Sequence, residues 1–146
     1  MLWKKILCAV DFSPSSRDAL RVAARLATES SAELVVAYAW TPPVVFAGET
    51  IGLPAGFLTD LIATAQRELA AWKTEAEGYG APRVTSEFLT GAPWHEVIGL
   101  AKRDHEIGLI VTGTHSRTGI KHAVLGSIAE KIVRHAPCAV MVVPAA

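Results

Sequence analysis

Apolar residues gather in five short runs, at residues 6–10, 34–39, 84–89, 107–111 and 139–143, and four of the five are nearly continuous rather than alternating. A strand that is apolar at successive positions buries both faces, as in a parallel sheet covered by helices on either side. Between the runs, apolar positions recur at helical spacing: Ala19, Leu20, Ala23, Leu26 and Ala27; Leu58, Leu61, Ile62, Ala65, Leu69 and Trp72; Val97, Ile98 and Ala101; Ile128, Ala129, Ile132 and Val133. The pattern predicts βαβαβαβαβ. That order calls for an α/β fold, a doubly wound open sheet of five parallel strands with right-handed crossovers and helices on both faces. The run at 84–89 is the most polar and is expected at a sheet edge.

The punctuation agrees. Ser13-Pro14 supplies an N-cap and a first-turn proline for the first helix, and Gly91-Ala92-Pro93 opens the third in a similar way. The segment 41–56, with Pro42, Pro43, Pro54 and three glycines, is longer than an ordinary strand-to-helix connection and reads as a lid or a partner surface. No internal repeat or linker divides the 146 residues, so one domain spanning 1–146 is expected.

Charge changes the picture more than composition does. Fourteen basic and fourteen acidic side chains cancel, which removes the long-range field that nucleic acid or an anionic membrane surface would need. An anion site must therefore be local. Cys8 and Cys138 sit inside apolar runs and are expected as buried, reduced thiols rather than a disulfide framework. The first residues lack the apolar core and cleavage site of a signal peptide, and no run reaches the roughly 18 apolar residues of a membrane span. A soluble, cytoplasmic protein is expected.

In an open parallel sheet, ligands bind beyond the carboxyl ends of the strands, where the strand order reverses. The connections richest in hydroxyls and glycine follow strands one (residues 11–16) and four (residues 112–119). Making these two strands neighbours gives the order 3-2-1-4-5, with a crevice over Asp11 and Gly113. The stretch 112–127 has the parts of a phosphate cradle: glycines for close backbone approach, hydroxyl donors, and Gly126-Ser127 opening a helix whose free N–H groups favour an anion. From residue 107 to 129 the formal charges are Arg117 and Lys121, both positive. The competing reading makes Gly113 and Gly119 ordinary turn residues and Ser127 an ordinary N-cap. Asp11 likewise has two readings: a ligand for a ribose hydroxyl or a phosphate-bound Mg²⁺, or a turn carboxylate bonding nearby amides. Tyr38-Ala39-Trp40 either presents backbone groups and an apolar wall to a base or packs in the core. Trp94 reads as a helix-start packing residue.

Several chemistries lack their fingerprints. The five histidines show no metal-ligand spacing, and no G-x-S-x-G elbow, G-x-G-x-x-G or G-x-x-x-x-G-K-[ST] occurs. No zinc site, covalent catalysis, dinucleotide chemistry or P-loop action is expected.

These residues together resemble the universal stress proteins over nearly the whole chain. The opening Lys4-Lys5-Ile6-Leu7-Cys8-Ala9-Val10-Asp11-Phe12-Ser13 is similar to the family's first strand with its terminal aspartate and serine, and Gly91-Ala92-Pro93 to its G-x-P. The family's nucleotide-binding members carry G-x2-G-x9-G-[ST]; here Gly113, Ser116, Gly126 and Ser127 stand at those spacings, with serine replacing the second glycine. The tail from Arg134 to Pro144 is similar to the family's last helix and strand. The resemblance implies an adenine nucleotide alpha hydrolase-like, Rossmann-like fold. It also implies ATP or another adenine nucleotide, with adenine near Ala39, ribose or Mg²⁺ near Asp11, and phosphates on Gly113, Ser116, Gly126 and Ser127. The backbone of Ala9, Thr112 and Ile128 would lie nearby. It further implies a homodimer through the apolar run 139–143, which would be a liability as a bare sheet edge. Three functions follow: an ATP-binding, dimeric stress-response module; a slow Mg²⁺-dependent ATP hydrolase, for which His115 is the one evident base; and a nucleotide-free dimerisation module, which Ser116 makes credible.

Overall fold

The computed structural model describes residues 2–42, 55–114 and 125–146. Strand β1 (Lys5–Val10) leads into helix α1 (Pro14–Ser30), and β2 (Glu33–Trp40) into α2 (Phe57–Gly78). Strand β3 (Arg83–Thr90), α3 (Pro93–Arg103), β4 (Ile107–Gly113), α4 (Ser127–His135) and β5 (Ala139–Val143) complete the order. The sheet is wholly parallel in the order β3-β2-β1-β4-β5. This is the doubly wound 3-2-1-4-5 arrangement expected from the hydrophobic runs together with the hydroxyl-rich connections after strands one and four, with the polar β3 at an edge.

Helix starts follow local chemistry. The Ser13 hydroxyl accepts the Ser16 N–H at 3.2 Å, and Pro14 occupies the first helical position of α1, where its missing donor does no harm. Pro93 does the same for α3, with Ala92 as a cap residue that has no side-chain bond to give.

The continuous runs are apolar because each strand has two covered faces. On one face Ile6, Cys8, Leu34, Val36, Leu109 and Val111 pack against Leu20, Ala23 and Ala27 of α1 and Leu69 and Trp72 of α2. On the other, Leu7, Val35, Ala37 and Ile110 meet Val97 and Ala101 of α3 and Ile132 of α4. Trp72 is fully buried; its indole N–H donates to Glu68 at 3.1 Å and the Arg17 guanidinium lies 4.7 Å above its ring. Two residues assigned to apolar helix faces are exposed, Leu58 and Val133. Helix α4 needs only Ala129 and Ile132 to cover the sheet, which leaves Val133 turned out. Of segment 41–56, residues 43–54 lie outside the described residues, and with them the expected lid.

The thiols differ. Cys8, in a central strand, is buried and its thiol is pushed up to about 12 by desolvation. Cys138, expected buried, is half-buried because β5 is an edge strand with one helix-lined neighbour. Among the described residues no helix is long and apolar enough to cross a membrane.

The opposite end of the sheet is tied by charge. Lys5 Nζ, at the start of β1, donates to Asp104 at 2.7 Å and lies 3.9 Å from Glu33 and 3.8 Å from Glu106; Arg83 reaches Glu33 at 3.7 Å. The hydrogen bond to Asp104 raises the Lys5 pKa, and the same bond lowers that of Asp104. The depressed carboxyl contributes stability above its unfolded range near pH 4, lost as pH falls through the folded value; the raised amine contributes below about pH 10, lost as pH rises through its folded value. Lys5→Met is therefore expected to lower stability by about 1 kcal/mol at pH 7, with the deficit against wild type shrinking below pH 4 in urea melts. A deficit that stays constant down to pH 3 would rule out this ion-pair origin.

Candidate functional site

Strands β1 and β4 are neighbours, yet the chain leaves β1 toward α1 on one face and leaves β4 toward α4 on the other. Their carboxyl ends consequently diverge and leave a gap. The gap is kept open by small side chains: Ala9 and Ala37 are register partners on the α3–α4 face, and Ala39 lies beyond them. Pro93 and Val97 of α3 and Ile128, Ala129 and Ile132 of α4 form the walls, and Asp11, Ser16, Thr112, Gly113, Thr114 and Gly126 the polar rim. The space between these atoms is a cleft open to solvent.

Asp11 lies at the exit of β1. Its Oδ1 accepts the Ser13 N–H at 3.0 Å, and its own N–H donates to Ser16 Oγ at 3.2 Å. The turn-carboxylate reading thus holds, while the residue also lines the cleft. The turn requires a left-handed residue, and it is Phe12, at φ 65°. That conformation costs a bulky L-residue about 1–2 kcal/mol. The Phe12 ring stacks on Tyr38 with centroids 4.3 Å apart and 17° between planes. Tyr38 therefore belongs to the opposite face of the sheet, and of Tyr38-Ala39-Trp40 only Ala39 borders the cleft.

Gly113 has a different reason from the one its sequence context suggested. A Cβ there would lie 2.4 Å from Ser15 Oγ and 3.0 Å from the Ser15 carbonyl carbon and oxygen. The close approach that glycine permits is to the first turn of α1, although Gly113 also lines the cleft. Ser15 itself is buried, and its hydroxyl has no hydrogen-bond partner among the described residues.

Gly126 is the N-cap of α4, without a side-chain cap bond, and its N–H donates to the Thr114 carbonyl at 2.7 Å. That bond brings together the two ends of segment 115–124, which lies outside the described residues and holds Ser116, His115, Arg117, Gly119 and Lys121. Ser127 is the exposed first helical residue rather than the cap, and it is not among the residues bordering the cleft. The first-turn amides of α4 have no intrahelical acceptor, and the one first-turn acid, Glu130, is paired with Arg134. The helix end is accordingly electropositive toward the cleft.

Of the residues named from sequence, Ala9, Asp11, Ala39, Thr112, Gly113, Gly126 and Ile128 border one space. Ala37, Pro93, Val97, Ala129 and Ile132 went unrecognised, being apolar and indistinguishable from core; the one available signal was the clustering of alanines at strand ends. Trp94 packs against the second core with Lys131 Nζ 5.3 Å from its ring centre, in keeping with a packing role. No group of three or more His, Cys, Asp or Glu side chains capable of holding a metal occurs among the described residues. Asp11 is the carboxylate at the described rim, a hard oxygen ligand of the kind that suits a cation carried by a phosphate.

The model of the universal stress protein family matches residues 2–144. A universal stress protein of Methanocaldococcus jannaschii is 35% identical over 147 residues, covering 97% of this chain and 82% of its own length. Among solved structures, universal stress protein UspA from Lactobacillus plantarum superposes with a TM-score of 0.86 at 26% identity, covering 98% of this chain and 99% of that one. A universal stress protein solved in complex with cAMP superposes with a TM-score of 0.77 at 23% identity over the full length of both chains.

The contact of Gly113 with Ser15 can be probed by stability alone. Gly113→Ala is expected to lower the unfolding free energy by about 1–3 kcal/mol through overpacking, and Ser15→Ala to be neutral or stabilising because it removes a buried hydroxyl without a partner. Thermal melts in which Gly113→Ala equals wild type would show that the β4–α1 contact is not tight.

Proposed function

The chain belongs to the universal stress protein family, and from that premise we propose that it is a nucleotide-binding stress-response module. It takes ATP or another adenine nucleotide in the cleft at the β1–β4 divergence. The observation that carries this is the union, in one space, of an alanine floor, a carboxylate at the rim and the electropositive start of α4. The base would lie against Ala37, Ala39 and Val97, with Ala9 beneath it. The ribose, or Mg²⁺ brought by the phosphates, would meet Asp11. Phosphates would meet the backbone of Thr112, Gly113, Gly126 and Ile128. The cAMP complex of a structural neighbour supports an adenine ligand.

Hydrolysis is the second reading: Asp11, the carboxylate of the described rim, accepts the Ser13 N–H, and Mg²⁺-dependent phosphate release abolished by Asp11→Asn would favour it. The protein acts as a cytoplasmic homodimer joined through β5, whose half-buried apolar residues border an edge that pairs with no further strand among the described residues.

Isothermal titration with ATP, AMP and cAMP tests the site. Heat of binding is expected with at least one, weakened about tenfold or more by Ala39→Leu, which fills the floor, and by Asp11→Asn. Absence of heat with all three would leave a nucleotide-free module of the same fold. Sedimentation equilibrium at micromolar concentration should return twice the chain mass; a monomer would refute the β5 dimer.

A further inference from the structure

We propose that Phe12 is a positioning residue for the cleft: its ring, stacked on Tyr38, holds the left-handed backbone that fixes the Asp11 carboxylate at the rim. This rests on reading the cleft as a nucleotide site.

The observations lie on both sides of the sheet. Asp11 borders the cleft, on the α3–α4 side, whereas the Phe12 ring belongs to the α1–α2 side. There it lies 4.3 Å from Tyr38 and 5.5 Å from Trp72, and Tyr38 lies 5.8 Å from Phe88. A phenylalanine has no local reason to adopt φ 65°; unlike asparagine or glycine it neither bonds its own backbone nor lacks a Cβ. Such a conformation persists when the surroundings over-determine it, and the parallel stack is the contact that does so. Its consequence is local to Asp11. The chain reverses at residue 12 tightly enough for the Asp11 carboxylate to take the Ser13 N–H at 3.0 Å, while the Asp11 N–H reaches Ser16 Oγ at 3.2 Å. A ring on one face of the sheet thereby sets the orientation of a carboxylate serving the other.

Glycine and alanine separate this role from simple packing. Both remove the same ring, but glycine accepts positive φ freely and alanine does not. If the turn at residue 12 has no bearing on Asp11, the two variants bind ATP alike, even though glycine escapes the left-handed strain that alanine carries. If it positions Asp11, Phe12→Ala binds ATP about tenfold more weakly than wild type, and Phe12→Gly recovers most of that loss.

A nucleotide-independent readout accompanies the binding measurements: hydrogen exchange of the Ser13 amide followed by NMR. The Ser13 amide, which donates to the Asp11 carboxylate, is expected to be protected in wild type and Phe12→Gly and to lose that protection in Phe12→Ala. Should Phe12→Ala not fold, Phe12→Leu and Phe12→Asn form the same contrast, because asparagine tolerates the left-handed region. Indistinguishable Ser13 exchange rates in the two members of a pair overturn the proposal. Wild type that shows the expected Ser13 behaviour but binds no nucleotide refutes the nucleotide reading and leaves the positioning of Asp11 standing.

Discussion

Two neighbouring parallel strands that send their crossovers to opposite faces cannot both be covered at their carboxyl ends, and the molecule depends on how that gap is managed. Beneath it, β1 and β4 are ordinary central strands, apolar on both sides and sealed by helices. Above it the packing rule is relaxed on one face only. Ala9, Ala37 and Ala39 each carry a single methyl, so space that leucine or isoleucine side chains would fill stays open above them. The other face stays closed, and Gly113 lets β4 end hard against the first turn of α1.

The departures from ideal local chemistry cluster around this gap. A phenylalanine is held at positive φ, a buried serine hydroxyl lacks a partner among the described residues, and α4 begins without a side-chain cap. Each is unfavourable taken alone. The remote end of the sheet shows the opposite character, since Lys5 draws Asp104, Glu33 and Glu106 into a network tying the starts of β1, β2 and β4. Ordered charge at one end and tolerated strain at the other is the distribution expected of a rigid scaffold that presents a site.

Much of the fold was legible because burial on both faces writes a continuous apolar run, and a helix on a sheet writes a spaced one. The polar run at 84–89 read correctly as the edge strand β3, and the hydroxyl-rich turns after strands one and four led to the β1–β4 adjacency and hence the full strand order. The site was legible where residues carry polar chemistry or belong to a spaced motif, as with Asp11, Gly113 and Gly126. It was not legible in Val97 and Ile132, which line the cleft with the same side chains that fill a core. Val133 and Cys138 misled for a related reason: periodicity reports that a residue is apolar, not whether a neighbouring element covers it.

The elements, their order, the neutral charge balance and the family resemblance are all readable without a structure, because they follow from patterns within reach of a few residues or from a motif spread along the chain. What Gly113 approaches, why Phe12 tolerates its backbone, and which alanines floor a cleft rather than a core emerge from the folded arrangement. Those outcomes depend on contacts between residues far apart in the chain, such as Gly113 with Ser15 and Phe12 with Tyr38. Contacts at that separation exist only once the sheet has assembled.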